Sequence, residues 1–167
     1  MCPKIFADDR GFFFESYNER VFAGLGIREH FVQDNHSSSV KGVLRGLHYQ
    51  IRSPQGKLVR VLRGSIYDVA VDLRRSSSTF GKWVGYELND SSHQLLWVPP
   101  GFAHGFVALS ERADVAYKAT DFYAAEFERC VIWNDPDLAI NWPLQGEPIL
   151  SSKDARGLRL RDAELFS

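Results

Sequence analysis

The chain has 167 residues, and Lys plus Arg total 20 against 21 for Asp plus Glu, which gives a formal net charge of −1. A chain of this length folds by default as one domain with a core large enough to enclose a ligand cavity, so we treat residues 1–167 as a single domain. The near-neutral charge excludes a global basic field for nucleic acid or an anionic membrane. An anionic ligand must therefore be bound by local charges.

The cysteines and the amino terminus indicate the compartment. Cys2 and Cys130 form neither a CxxC pair nor the disulfide framework of a small secreted protein, and isolated thiols of this kind fit a reducing cytoplasm. The first residues, MCPKIFADDR, lack the basic and apolar regions of a secretory signal, and no stretch approaches the roughly 18 apolar residues of a membrane-spanning helix. We therefore expect a soluble cytoplasmic protein.

The predicted elements are mostly strands. A short helix is predicted over Tyr17 to Gly24 and another near Ala124 to Arg129, both at the periphery. From Lys57 onward, short alternating runs separated by turn clusters predict strands in KLVRVL, IYDVAVDL, FGKWVGYEL, HQLLWV, FAHGFVAL and DVAYKAT. The tail after Trp142 is predicted to wrap around the domain. Closely spaced short strands indicate an all-β barrel or jelly roll.

Strand alternation singles out a lysine and a tyrosine. In KLVRVL, Lys57 shares a face with Val59 and Val61, and in DVAYKAT, Tyr117 lies on a face with small apolar residues. An inward lysine either extends its amine to solvent at the strand end or stabilises negative charge in a pocket. A buried phenol either caps a backbone carbonyl or transfers a proton. Alternation alone leaves both choices open.

The five histidines lie at positions 30, 36, 48, 93 and 104, and none forms an HxH or HxxxH pair. A metal site would therefore have to be assembled from distant strands, and we expect none. His48 lies in VLRGLHYQ beside Arg45, between Gly42 and Gly46, which favours a functional imidazole over a structural one. His104, in PPGFAHGF, is either functional or braces a turn.

Eight blocks of the sequence resemble a known family. They are DDRGFFFESY, FVQDNHSSS, VLRGLHYQ, QGKLVRVLRGSIYDVAVDLRRSSSTFGKWVGYEL, LLWVPPGFAHGFVALSE, YKATDFY, WNDPDLAINWP and LSSKDA. In this order and spacing they resemble the dTDP-4-dehydrorhamnose 3,5-epimerase family over nearly the whole chain. The resemblance implies a cupin-type double-stranded β-helix, or jelly roll, with short peripheral helices. It also implies a homodimer that needs neither a metal nor another cofactor.

The resemblance also assigns roles to residues. His48 of RGLHYQ matches the family's proton acceptor, Asp154 of the SxKD motif matches the carboxylate that orients it, and Tyr117 matches the proton donor. Lys57 of QGKLVR matches the residue beside the substrate ketone. Matched substrate-binding positions are Arg10, Glu15, Gln33, Asn35, Arg45, His104, Tyr123, Glu128 and Lys153. Arg10 and Glu15 are expected to serve the partner subunit's site.

The implied reaction is epimerisation of dTDP-4-dehydro-6-deoxy-D-glucose at carbons 3 and 5 to dTDP-4-dehydro-L-rhamnose. Three alternatives stay open: a mono-epimerase of an antibiotic deoxysugar pathway, a non-catalytic cupin that binds a sugar nucleotide, and a metal-dependent cupin oxygenase or isomerase. The intact set of His48, Asp154, Tyr117 and Lys57 favours an epimerase. Family members usually carry a β segment ahead of the DDRGFFFES block that packs at the dimer edge.

Overall fold

The computed structural model describes residues 1–167. The strands are β1 (Phe6–Asp8), β2 (Gly11–Phe13), β3 (Gln33–Val40), β4 (Leu44–Gln50), β5 (Lys57–Arg63), β6 (Ser65–Asp72), β7 (Trp83–Asn89), β8 (Leu95–Val98), β9 (Phe102–Ala108), β10 (Arg112–Ala119) and β11 (Glu128–Cys130). The one α-helix is α1 (Glu19–Gly24), and 3-10 turns cover Ala125–Phe127, Asp154–Arg156 and Leu160–Asp162. None of these helices is long and apolar enough to cross a membrane.

Nine of the strands form two facing sheets, and β1 pairs with β2 in a separate hairpin. The four-stranded sheet has the order β3-β10-β5-β8, and the five-stranded sheet has the order β11-β4-β9-β6-β7. All neighbouring strands are antiparallel. Consecutive strands mostly pass from one sheet to the other, which is the arrangement of a jelly roll. The predicted all-β, cupin-type fold is confirmed.

The space between the sheets is filled by apolar side chains at one end. Val59, Val61 and Val115 point inward from the four-stranded sheet and meet Ile66 and Phe106 from the five-stranded sheet. Each of these side chains is at most 4% exposed, and burying one such side chain stabilises the fold by about 1.5–3 kcal/mol. The predicted strand faces are therefore correct, and they direct Lys57 and Tyr117 inward as well.

A second apolar cluster lies on the outer face of the five-stranded sheet. Val69 and Val71 of β6 pack there with Trp142, Leu160 and other residues of the carboxyl-terminal segment. Isolated bridges from that segment to the body of the fold join Val43 to Ile149, Arg74 to Phe166 and Val131 to Leu158. The tail wraps around the domain as predicted, and burial of its apolar residues holds it there.

The structure differs from the predicted elements at both helices and in strands β1 to β4 and β11, which were not among the predicted strands. Helix α1 begins later than Tyr17 because the Asn18 side chain accepts hydrogen bonds from two backbone N–H groups of the first turn, as an N-cap does. The second predicted helix is only the 3-10 turn Ala125–Phe127. Strand β3, QDNHSSSV, was not predicted because it lacks apolar alternation, and its inward side chains line a polar cavity.

Two glycines allow β4 and β9 to approach closely. A Cβ atom on Gly105 would lie 2.7 Å from the carbonyl oxygen of Arg45 and 3.1 Å from the Cα atom of Gly46. Contacts this short require the two backbones to separate. Since β4 and β9 carry His48 and His104 in register, the glycine pair sets the position of both imidazoles.

We expect Gly105→Ala to lower the free energy of unfolding by about 1–3 kcal/mol, because the added methyl group overpacks the contact between the strands. Urea unfolding followed by circular dichroism measures the change. Gly24→Ala is the matched control, since a Cβ atom there meets nothing within 4 Å and a helical Gly→Ala change is neutral or stabilising by up to about 1 kcal/mol. If Gly105→Ala is as stable as wild type, the close approach of β4 and β9 does not require glycine at position 105.

Candidate functional site

A polar cavity of about 380 Å³ opens between the two sheets, at the end opposite the apolar core. The 13 lining residues are Gln33, Asn35, Ser37, Arg45, His48, Gln55, Lys57, His104, Phe106, Tyr117, Tyr123, Glu128 and Lys153. All but Ser37, Gln55 and Phe106 are among the residues that the sequence predicted for the site. The structure thus gathers into one cavity residues that lie up to 120 positions apart in the chain.

His48 and Asp154 form a hydrogen-bonded pair on the five-stranded sheet side of the cavity. The Nε2 atom of His48 lies 2.6 Å from the Oδ1 atom of Asp154. The side chain of Asp154 is only 4% exposed, whereas that of His48 is 24% exposed and faces the cavity. A buried carboxylate on one ring nitrogen fixes the orientation of an imidazole and stabilises its protonated form. The geometry leaves the other ring nitrogen free to accept a proton.

Asp154 is itself held by two further donors. The backbone N–H of Gly46 donates to Oδ1 over 3.1 Å, and the hydroxyl of Ser151 donates to Oδ2 over 2.6 Å. Burial on its own raises the pKa of Asp154, but the hydrogen bonds from His48 and Ser151 outweigh it and lower the pKa to about 2. The carboxyl group is therefore ionised at neutral pH.

Tyr117 lies on the opposite wall, because its strand β10 belongs to the four-stranded sheet. Facing sheets are separated by about 10 Å, which leaves room for one sugar ring between His48 and Tyr117. Burial raises the pKa of the Tyr117 phenol, and the nearby charge of Glu128 raises it further. The phenol is therefore protonated at neutral pH and can donate a proton from the wall opposite His48.

Lys57 lies on the same wall as Tyr117, on the neighbouring strand β5. Its amine is 6.0 Å from the centre of the Tyr117 ring, and the residue is only 9% exposed. Burial lowers the pKa of Lys57 to about 8, although the charges of Asp68 and Glu128 act in the opposite direction. The lysine does not extend out to bulk solvent; its amine faces the cavity.

The rim of the cavity carries a small charged network. Lys153 donates to Glu128 in a short hydrogen bond, and the hydroxyl of Tyr123 donates to the same carboxylate over 2.7 Å. Burial on its own raises the pKa of Glu128, but these two hydrogen bonds hold it below its usual range. Gln33 accepts from the backbone N–H of Tyr123 and donates to Asn35, over 2.9 Å in each case. The network orients five predicted binding side chains.

Deeper in the cavity, His104 forms a second pair with a carboxylate. Its Nε2 atom lies 2.9 Å and 3.0 Å from the two carboxylate oxygens of Asp68, which is fully buried. Arg45 is oriented by donation from its Nε atom to the Ser39 hydroxyl over 3.1 Å. Arg45, Lys57 and Lys153 supply three cationic groups to one cavity, which suits an anionic ligand despite the near-neutral net charge.

Arg10 and Glu15 do not line this cavity. Arg10 lies in the exposed β1–β2 hairpin and pairs with Asp8 over 2.5 Å. Glu15 accepts from the side-chain amide of Asn18 over 3.2 Å. Within one chain these two residues have no part in the cavity that the other predicted residues form, and the expectation that they serve a partner subunit stays a prediction.

The sequence reasoning missed two supporting residues. Ser151 lies in the LSSKDA block, three positions before the carboxylate that it contacts, so the block itself contained the signal. Asp68 lies in IYDVAVDL, where alternation places its side chain on the buried face with Ile66 and Ala70. A charged residue on a buried strand face requires a partner. That rule identifies Asp68 as a candidate, although it does not identify His104 as the partner.

The only group of three side chains that could hold a metal ion consists of His48, Cys130 and Asp154. Cys130 is half-buried and carries a free thiol. Burial raises the pKa of this thiol to about 12, and the charge of Asp154 adds to the increase. No cluster of three histidines is present, and only His48 and His104 of the five face the cavity.

Comparison with known proteins gives the same family throughout. The family model for dTDP-4-dehydrorhamnose 3,5-epimerase matches residues 1–162. The dTDP-4-dehydrorhamnose 3,5-epimerase of Pseudomonas aeruginosa is 61% identical over 98% of this chain and 91% of its own length. The enzyme of that name from Shigella flexneri is 53% identical over 98% of this chain and 91% of its own length.

A solved structure agrees with the sequence matches. The dTDP-6-deoxy-D-glucose-3,5-epimerase of Legionella pneumophila, crystallised with dTDP-4-keto-L-rhamnose, superimposes with a TM-score of 0.93. It is 54% identical, and the match covers 95% of this chain and 85% of that one. From the sequence matches and the shared fold together, the chain belongs to the dTDP-4-dehydrorhamnose 3,5-epimerase family.

Proposed function

We propose that His48 is the base and Tyr117 the acid in the epimerisation of dTDP-4-dehydro-6-deoxy-D-glucose at carbons 3 and 5. The protein is an epimerase, which is an isomerase of dTDP-L-rhamnose biosynthesis, and its relatives are named dTDP-4-dehydrorhamnose 3,5-epimerase. The observation that carries the residue assignment is the position of the two side chains on opposite sheets of one cavity. Inverting a carbon requires a proton to leave one face of the sugar and another to arrive at the opposite face.

The chemistry explains the need for a third group. The hydrogens on carbons 3 and 5 flank the ketone at carbon 4, so removing either one gives an enolate with most of its charge on oxygen. The Lys57 ammonium lies on the Tyr117 wall, within the same cavity. A fixed donor of this kind stabilises a developing oxyanion by about 3–4 kcal/mol. This role explains why the side chain of Lys57 points inward among apolar neighbours.

The diphosphate and thymine groups of the substrate need their own contacts. Arg45 offers a guanidinium, which matches phosphate oxygens well, and Lys153 lies at the cavity rim. Exposed aromatic side chains at the rim, such as Tyr123, can stack on a pyrimidine ring. Proton transfer then occurs deeper in the cavity.

Deuterium exchange tests the reaction. In deuterated water the product should carry deuterium at carbon 3 and carbon 5, because both protons that enter come from solvent through the enzyme. Mass spectrometry gives the number of deuterium atoms, and NMR gives their positions. Deuterium at only one carbon would indicate a mono-epimerase, and deuterium at neither carbon would contradict epimerase activity altogether.

The two residue roles have different signatures in the same assay. His48→Ala should abolish both exchange and inversion, because no base removes the proton. Tyr117→Phe should lower turnover at least about a hundredfold while the recovered substrate still gains deuterium, since His48 removes and returns a proton on one face. If Tyr117→Phe retains wild-type turnover, the phenol is not the acid.

The low pKa of Lys57 predicts an alkaline decline in kcat/KM. The ammonium is present below pH 8 and is lost as the pH rises through about 8, so stabilisation of the oxyanion is lost in the same range. The pKa of Tyr117 is raised above its usual value, so loss of the phenol proton falls at higher pH. Lys57→Arg is the control, because a guanidinium keeps its charge and the decline should move to higher pH. A flat wild-type profile through pH 10 would exclude this role for Lys57.

We also propose that the enzyme is a cytoplasmic homodimer in which Arg10 and Glu15 of each subunit reach the partner's cavity. The support is the exposed β1–β2 hairpin: Phe12 is 60% exposed and Phe13 is 68% exposed, next to an arginine that has only a surface partner. Exposed aromatic side chains beside a charged residue are typical of a subunit interface. The free thiols of Cys2 and Cys130 support the cytoplasm.

Subunit complementation tests the shared site. Co-expression of an Arg10→Ala chain with a His48→Ala chain should give mixed dimers in which one site has both His48 and the partner's Arg10. Such dimers should recover up to about half of wild-type activity, whereas each variant alone stays impaired. If Arg10 acts within its own chain, or not at all on activity, mixing restores nothing beyond the activity of the Arg10→Ala chain.

A further inference from the structure

Cys130 lies directly beside the His48–Asp154 pair. It is the last residue of β11 and is the register partner of His48 on β4. One ligand atom from each of His48, Cys130 and Asp154 lies within 4.8 Å of the other two. Neither the family reaction nor the proposed proton transfers use this thiol.

The three donors match the preferences of zinc. Imidazole nitrogen, thiolate sulfur and carboxylate oxygen are its usual protein ligands, with bonds of about 2.0–2.3 Å, which place tetrahedral ligand atoms roughly 3.3–3.8 Å apart. The sulfur would move inward by at most about 1 Å, and the 2.6 Å contact between His48 and Asp154 would open slightly. Small side-chain rotations are enough for both changes, since the thiol donates only a weak hydrogen bond, to the carbonyl of Val131 over 3.5 Å.

We propose that His48, Cys130 and Asp154 form an inhibitory binding site for Zn²⁺ or another thiophilic divalent cation. The ion displaces one proton to solvent, from the Cys130 thiol. The imidazole proton that faces Asp154 is exchanged through solvent to the other ring nitrogen, so that His48 binds the ion as a neutral imidazole. Solvent water completes the coordination. The bound ion holds His48 and Asp154 as ligands, so neither the base nor its orienting carboxylate is available for proton transfer.

The surrounding charges favour a cation. The carboxylates of Asp154 and Glu128 lie near the thiol, opposed by the ammonium of Lys153. Two nearby negative charges oppose a lone thiolate, and the same charges attract a divalent ion that neutralises it. The Cys130 thiol therefore loses its proton when a metal ion binds beside it.

The thiol can also be reached from outside the substrate cavity. Cys130 lines a separate cleft of about 240 Å³ together with Tyr49, Arg129, Lys153 and Glu164. Glu128 and Lys153 line both the cleft and the substrate cavity. The ion therefore acts on the base from behind, and the contacts of the sugar nucleotide with Arg45 and the rest of the cavity are left in place. Inhibition should lower kcat more than it raises KM.

Zinc titration of the metal-stripped enzyme tests the site. ZnCl₂ should inhibit wild type and Cys2→Ser equally, because Cys2 is an exposed thiol that does not belong to the ligand group. Cys130→Ser should need at least about tenfold more zinc for the same inhibition, since loss of a ligand weakens binding at least as much as loss of a supporting residue. A chelator should restore the rate, and MgCl₂ should have no effect because Mg²⁺ prefers oxygen ligands. Equal zinc inhibition of wild type and Cys130→Ser would overturn the proposal.

A second measurement does not depend on catalysis. Cobalt(II) bound to wild type should give the ultraviolet absorption of a thiolate-to-cobalt charge transfer, and the same band should be absent from Cys130→Ser and Cys130→Ala. This readout holds even if the substrate or reaction is assigned wrongly, and wild type alone suffices if a variant does not fold. Cobalt binding to wild type without that absorption, or no binding at all, would overturn the site.

Discussion

The alternation of side chains between two facing sheets is the constraint on which this structure depends. Along β5, Lys57 lines the cavity and Val61 packs in the core. Along β10, Tyr117 lines the cavity and Ala113 packs in the core. The inward face of each strand is therefore apolar at one end and polar at the other. The apolar end stabilises the fold, and the rigidity of that packing holds the polar end open as a cavity.

This arrangement also separates His48 and Tyr117, the residues that we propose as base and acid. His48 is fixed to the five-stranded sheet and Tyr117 to the four-stranded sheet, so neither can reach the other's side of a bound ring. A single flexible loop could not maintain such a separation, because it would pay the entropy of ordering on each turnover. The fixed distance between the packed sheets maintains the separation without this loss of entropy.

The cavity combines buried carboxylates with buried cations, and each group changes the protonation of its neighbours. Asp154 is ionised because His48, Ser151 and Gly46 donate to it, which outweighs its burial. Lys57 shows the opposite balance, since burial outweighs the attraction of Asp68 and Glu128. The result is a fully charged carboxylate beside His48 and a lysine whose pKa is close to neutral pH. The same local concentration of donors, with Cys130, forms the metal site that we propose beside His48.

The sequence by itself determined the all-β class, the inward faces of β5 and β10, and, through its motifs, most of the cavity lining. It could do so because side-chain alternation is a local property of a strand and because the motif blocks keep their order and spacing. The sequence did not predict β3, whose polar inward face gives no alternation of apolar residues, and it placed the start of α1 before the Asn18 cap. These are places where the cavity or a single hydrogen bond overrides the average pattern.

Only the tertiary structure decided how distant residues meet. The resemblance named Asp154 as the partner of His48, but the 2.6 Å contact across 106 positions exists because the tail is held against the five-stranded sheet by its buried apolar residues. The pairing of Asp68 with His104 and the position of Cys130 opposite His48 follow from strand register, which no local pattern contains. Strand register and the packing of the carboxyl-terminal segment depend on contacts formed over the whole chain. Alternation could therefore predict the face on which each side chain lies, but not the residues that it contacts.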